Sequence, residues 1–74
     1  MNDIKIRYFD LLSDYDPFLE VSEHENFTPS QMLYNLIEIR KNNFDYIDKD
    51  TFELLKRFDA LIEYMKSQGI KPGL

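Results

Sequence analysis

From Phe52 to Met65 the apolar residues Phe52, Leu54, Leu55, Phe58, Leu61, Ile62 and Met65 recur every three or four positions. That spacing lines one face of an α-helix and does not fit the two-residue alternation of a strand. Glu53 stands four residues before Arg57 and Glu63 three before Lys66, so opposite charges are expected to pair along the outer face. Two starts compete for this helix. Asp50 with Glu53 makes a capping box, whereas Asp48 would let Ile47 and Phe52 close a hydrophobic staple. Gly69 marks its end, and the spacing predicts a helix over 49–68 followed by a flexible tail, 69–74, rich in helix breakers.

A second helix is announced at Phe27-Thr28-Pro29-Ser30-Gln31-Met32. Thr28 caps, Pro29 takes the first helical position where its missing N–H costs nothing, and Gln31 reaches back to the cap. Phe27 and Met32 form the staple. Met32, Leu33, Leu36 and Ile37, flanked by Ile39, supply the apolar stripe; Arg40 and Lys41 suit the negative end of the helix dipole, and Asn42 and Asn43 tolerate a left-handed stop. The predicted span is 29–41.

Residues before 27 carry two superimposed patterns. Ile4, Ile6 and Tyr8 alternate like a strand, while Ile4, Tyr8, Leu11, Leu12 and Tyr15 repeat like a helix. A single strand would leave its backbone groups unpaired, and no second strand pattern exists to receive it, so a helix over 3–15 is predicted. The Asp16-Pro17 step interrupts it, residues 17–21 read as one further short turn, and Ser22-Glu23-His24-Glu25-Asn26 reads as an exposed loop. The expected fold is all-α: a small three-helix bundle, or a helical hairpin with an additional N-terminal helix, forming one acidic domain over 1–74.

The charge is unevenly laid out. The chain has 14 acids against 9 bases, a net charge of -5, yet no Lys or Arg stands between Arg7 and Arg40, where seven acids fall: Asp10, Asp14, Asp16, Glu20, Glu23, Glu25 and Glu38. Large apolar residues, among them Tyr8, Phe9, Tyr15, Phe18 and Phe27, are interleaved with them, which a disordered acidic tail would lack. A field of one sign repels nucleic acid and favours a basic partner. Asp10, Asp14, Tyr15, Asp16, Phe18, Glu20, Glu23 and Glu25 are therefore the candidate partner-binding residues, aromatic anchors ringed by carboxylates. The plainer reading of each is a core aromatic or a solvated acid.

Other chemistries are poorly supplied. With no Cys there is neither a disulfide nor a thiolate ligand or nucleophile, and His24 is the only imidazole, expected to lie on the exposed loop. Asp45, Asp48, Asp50 and Glu53 lack the central Gly and spacing of a calcium loop, and capping accounts for the last three. Asp14 and Asp16 could do acid–base work only in a water-excluding pocket, for which one small bundle leaves little room. Asn26-Phe27-Thr28 matches the glycosylation pattern, which matters only in a secretory compartment. No run approaches the roughly 18 apolar residues of a membrane span, and the N-terminus lacks the basic-then-apolar order of a signal peptide.

The expectation is thus a non-enzymatic, cytoplasmic interaction module without cofactor or metal, an acidic adaptor or inhibitor that binds a basic protein surface. In a sharper form the acids imitate nucleic acid charge and occupy a nucleic-acid-binding protein, in the manner of small phage-encoded antagonists. Direct nucleic acid or membrane binding is not expected. The alternative is a structural helical protein acting through homo-oligomerisation, for instance a homodimer, since so short a chain builds a small core and a second copy adds burial.

Overall fold

The computed structural model describes residues 2–43 and 49–73, in which four helices follow one another: α1 (Asn2–Tyr15), α2 (Val21–His24), α3 (Pro29–Asn43) and α4 (Lys49–Ser67). There is no strand among the described residues, and the fold is an all-α small bundle. Residues 44–48, among them the competing cap Asp48, lie outside the described residues.

In α1 the helical pattern prevails over the alternating one. Ile4, Tyr8, Leu11 and Leu12 are buried, while Ile6, which a strand would place beside Ile4 and Tyr8, is 67% exposed. The Asp16 N–H still donates to the Leu12 carbonyl at 2.8 Å, after which Pro17, having no N–H, ends the ladder. The capping box of α3 forms in both directions: the Thr28 N–H donates to Gln31 Oε1 at 2.8 Å and the Gln31 N–H to Thr28 Oγ1 at 3.2 Å. Two N–H groups that the helix itself cannot use are thereby satisfied.

The three long helices pack against one another pairwise, and Met32, Leu33, Leu36, Phe58, Leu61, Ile62 and Met65 join the buried residues of α1 in one core. Phe52 is the exception within the α4 stripe, at 44% exposure. Counted at 100° per residue it shares a face with Lys56, Asp59 and Glu63, and the Lys56 ammonium lies 5.1 Å from its ring centre.

Gly69, at φ 81°, closes α4 in a Schellman motif: its N–H donates to the Lys66 carbonyl at 3.0 Å and that of Ile70 to Met65 at 3.2 Å. The expected flexible tail is instead tied down over 69–73. Ile70 packs on the core, and the Gly73 N–H donates to the Ser30 carbonyl at 3.1 Å, joining the chain end to the first turn of α3.

Residues 16–27, which carry α2, cross the outside of this body. No residue of α2 is buried. The predicted exposed loop is thus partly helical, a single turn whose N–H of Glu23 donates to the Glu20 carbonyl at 3.0 Å.

Candidate functional site

The structure divides the eight candidate binding residues into three groups. Asp10 and Asp14, one turn apart on α1, both face Arg57 of α4: Nη1 lies 2.7 Å from Asp14 Oδ2 and Nη2 3.7 Å from Asp10 Oδ2. Sequence spacing assigned Arg57 to Glu53, four residues away on the same helix. It turns to α1 instead, because two carboxylates across the helix pair attract it more than one alongside. Asp10 and Asp14 are therefore not unpaired acids, and their charge is partly spent within the chain.

Tyr15 forms the second group. It is half-buried at the end of α1, with its ring edge-on to Phe58 at 5.5 Å between centres, and burial, followed by the neighbouring Asp16 carboxylate, pushes its hydroxyl up from the usual phenol range. It packs against the core from the end of α1.

The third group, Asp16, Phe18, Glu20, Glu23 and Glu25, lies along the segment between α1 and α3. Asp16 Oδ1 accepts the Phe18 N–H at 3.0 Å, a local turn that holds the backbone as it leaves α1, and the Leu19 N–H donates to the Asp16 carbonyl at 3.0 Å. Between these fixed points the Phe18 side chain projects into solvent at 91% exposure. Val21, three residues on, is 49% exposed. Glu20, Glu23 and Glu25 are exposed around the same segment, and among the described residues Asp16, Glu20, Glu23 and Glu25 form no ion pair.

Behind this segment lies a polar triad. Tyr8 is wholly buried, and its hydroxyl takes part in two hydrogen bonds of 2.8 Å, one from Asn35 Nδ2 of α3 and one with His24 Nδ1 of α2. The Asn35 amide donates to the Tyr8 oxygen, while which of Tyr8 and His24 Nδ1 donates in the other bond follows the tautomer of the imidazole. Burial pushes the Tyr8 hydroxyl up to about 12, and the Asn35 hydrogen bond offsets part of that rise. The His24 ring is half-buried and lies 4.6 Å from that of Phe27. The expected solvent-exposed loop histidine is corrected accordingly. Tyr8 within an apolar stripe was the available signal, since a buried phenol needs a partner, but nothing in the spacing named His24 or Asn35.

A groove of about 230 Å³ runs between α1 and α4, lined by Arg7, Asp10, Leu11, Arg57, Ala60 and Leu61. Both of its guanidinium groups are engaged. Arg7 pairs with Asp3 at 3.0 Å and lies 4.5 Å from the Tyr64 ring centre, while Arg57 holds Asp10 and Asp14. The Asp3 carboxyl is held below its usual range by hydrogen bonds from Arg7 and from the Tyr64 hydroxyl, the latter at 3.1 Å. Among the described residues no three His, Asp or Glu side chains are grouped to hold a metal ion, and no helix is long and apolar enough to cross a membrane.

Compared with known proteins, the chain matches no family model, no curated protein and no solved structure.

Proposed function

We propose that this protein acts by binding and not by catalysis, as an acidic module that inserts Phe18 into an apolar pocket rimmed with Lys or Arg on a partner protein. The observation that carries this reading is the 91% exposure of Phe18 on a backbone braced by Asp16, beside carboxylates that have no ion pair among the described residues. Full burial of such a ring is worth about 1.5–3 kcal/mol, which the chain forgoes in isolation and a partner would recover. The surrounding acids steer a basic surface towards the ring and suppress acidic competitors. Imitation of nucleic acid charge is the narrower form of the same proposal. It draws on Asp16, Glu20, Glu23 and Glu25 more than on Asp10 and Asp14, which Arg57 already holds.

The alternative, self-association through the aromatics of residues 8–34, has fewer rings to draw on, since Tyr8, Tyr15 and Phe27 already pack within their own chain. Sedimentation at micromolar concentration separates the two. Partner capture from the native host, read by mass spectrometry, then supplies the molecule for kinetic measurement. Phe18→Ala is expected to speed dissociation at least tenfold, and joint reversal of Asp16, Glu20 and Glu23 to Lys to slow association and flatten its salt dependence. Reversal of Glu53 and Glu63 on α4 is the control. Should the control abolish binding and the triple reversal leave it intact, the Phe18 segment is an ordinary solvated face.

A further inference from the structure

We propose that Ser22 is a modification site, the acceptor of a phosphoryl group passed from ATP by an acid-directed protein serine kinase. The site goes beyond the Phe18 surface and stands whether or not that ring binds a partner.

A six-residue pattern occurs twice, nine positions apart: Ser13-Asp14-Tyr15-Asp16-Pro17-Phe18 and Ser22-Glu23-His24-Glu25-Asn26-Phe27. Each copy runs serine, acid, ring, acid, a variable residue and Phe. Each also closes a helix, since the half-buried Tyr15 ends α1 and the half-buried His24 ends α2. The fold accounts for much of this repeat. Tyr15 packs on Phe58 and His24 on Phe27, Asp14 pairs with Arg57, and Asp16 Oδ1 accepts the Phe18 N–H. It gives no work to Ser22, Glu23 and Glu25. All three are exposed, and their side chains form no hydrogen bond or ion pair among the described residues.

Of the four serines in the chain, Ser13 and Ser22 alone have acids one and three positions further on. Two carboxylates just downstream of a hydroxyl suit a kinase cleft lined with Lys or Arg, which takes them through charge-assisted hydrogen bonds. Access then separates the two serines. A kinase receives its acceptor on extended backbone, so the helical turn around it must open first. α2 is a single turn with no buried residue, and opening it exposes little that the fold depends on. Ser13 lies in the regular ladder of α1, beside the buried Leu11 and Leu12 and next to Asp14, which Arg57 holds at 2.7 Å. Ser22 is therefore the acceptor. Its hydroxyl oxygen attacks the γ-phosphorus of ATP, the bond from that phosphorus to the bridging oxygen breaks to release ADP, and the hydroxyl proton passes to the base of the kinase. The phosphate adds about 1.5–2 negative charges at neutral pH to a stretch that already holds Glu20, Glu23 and Glu25.

The test incubates the whole chain with ATP and an extract of its native host, follows intact mass, and places the modification by peptide fragmentation. One phosphoryl group is expected, on Ser22. Ser22→Ala should take up none and Ser13→Ala the full amount. Joint reversal of Glu23 and Glu25 to Lys should slow the uptake at least tenfold, because like charges then meet in the cleft. An unchanged circular dichroism spectrum for that variant ties the loss to recognition and not to the fold. No gain in mass overturns the proposal, as does a phosphoryl group on Ser13, Ser30 or Ser67 in place of Ser22. Undiminished uptake after the double reversal overturns it too, since the kinase would then not be reading the acids.

Discussion

Phe58 and Phe18 are the same side chain in opposite settings, 0% exposed in the middle of α4 and 91% exposed between α1 and α2. Phe58 repeats in step with Leu54, Leu61, Ile62 and Met65, so a helix carries all of them to one face, where α1 and α3 close over it. Phe18 follows Pro17, in a stretch too short and too acidic to set up a face of its own. Among the described residues the fully buried apolar side chains all lie on the three long helices, where a regular backbone gathers them. Over residues 16–27 no such face forms: Leu19 and Phe27 reach the core only in part, and Phe18 is left to solvent.

The largest test of this contrast is Phe58→Ala. Removing the central ring should cost about 3–5 kcal/mol, measured by denaturant unfolding followed by circular dichroism. A loss below about 1 kcal/mol would mean that the body tolerates voids and differs little from residues 16–27.

Next comes Tyr8, the link between the two regions. Its hydroxyl rises from 10.0 to about 12 on folding. The folded state favours the protonated phenol, so this contribution is fully present below pH 10 and is lost as pH climbs to about 12. Between those limits the unmodified protein should lose on the order of 2 kcal/mol more than Tyr8→Phe does. Parallel alkaline unfolding curves for the two would sink the assignment.

A smaller effect attaches to the Arg57 bridge. A double-mutant cycle of Asp14→Ala and Arg57→Ala should return a coupling of about 0.2–1 kcal/mol that shrinks with added salt, since both groups remain about half exposed. A larger, salt-insensitive value would show that this edge of the body is closed to water.

Smallest of all, Phe18→Ala should change stability by less than about 0.5 kcal/mol, because nothing in the fold rests on an exposed ring. A loss of 1 kcal/mol or more would place Phe18 in the body and remove the basis for its role in binding.

The three long helices and most of their faces were legible before any tertiary information, because the period of 3.6 residues and the Thr28–Gln31 capping box are local: each is set by residues within a turn or two of each other; the short α2 was read as an exposed loop. Gly69 likewise announced the end of α4. Pairing across the fold was not legible. That Arg57 chooses Asp10 and Asp14 over Glu53, that Ser30 receives the Gly73 N–H, and that His24 and Asn35 meet on the Tyr8 hydroxyl all depend on which helices lie side by side. Hydrogen bonds and ion pairs act over a few ångströms, between residues separated by 16, 27 or 43 positions in the chain, and no local spacing encodes them. The acidic run in the first half of the sequence was plain to read, but only packing decided which of those acids are held by Arg57 and which are left facing solvent around Phe18.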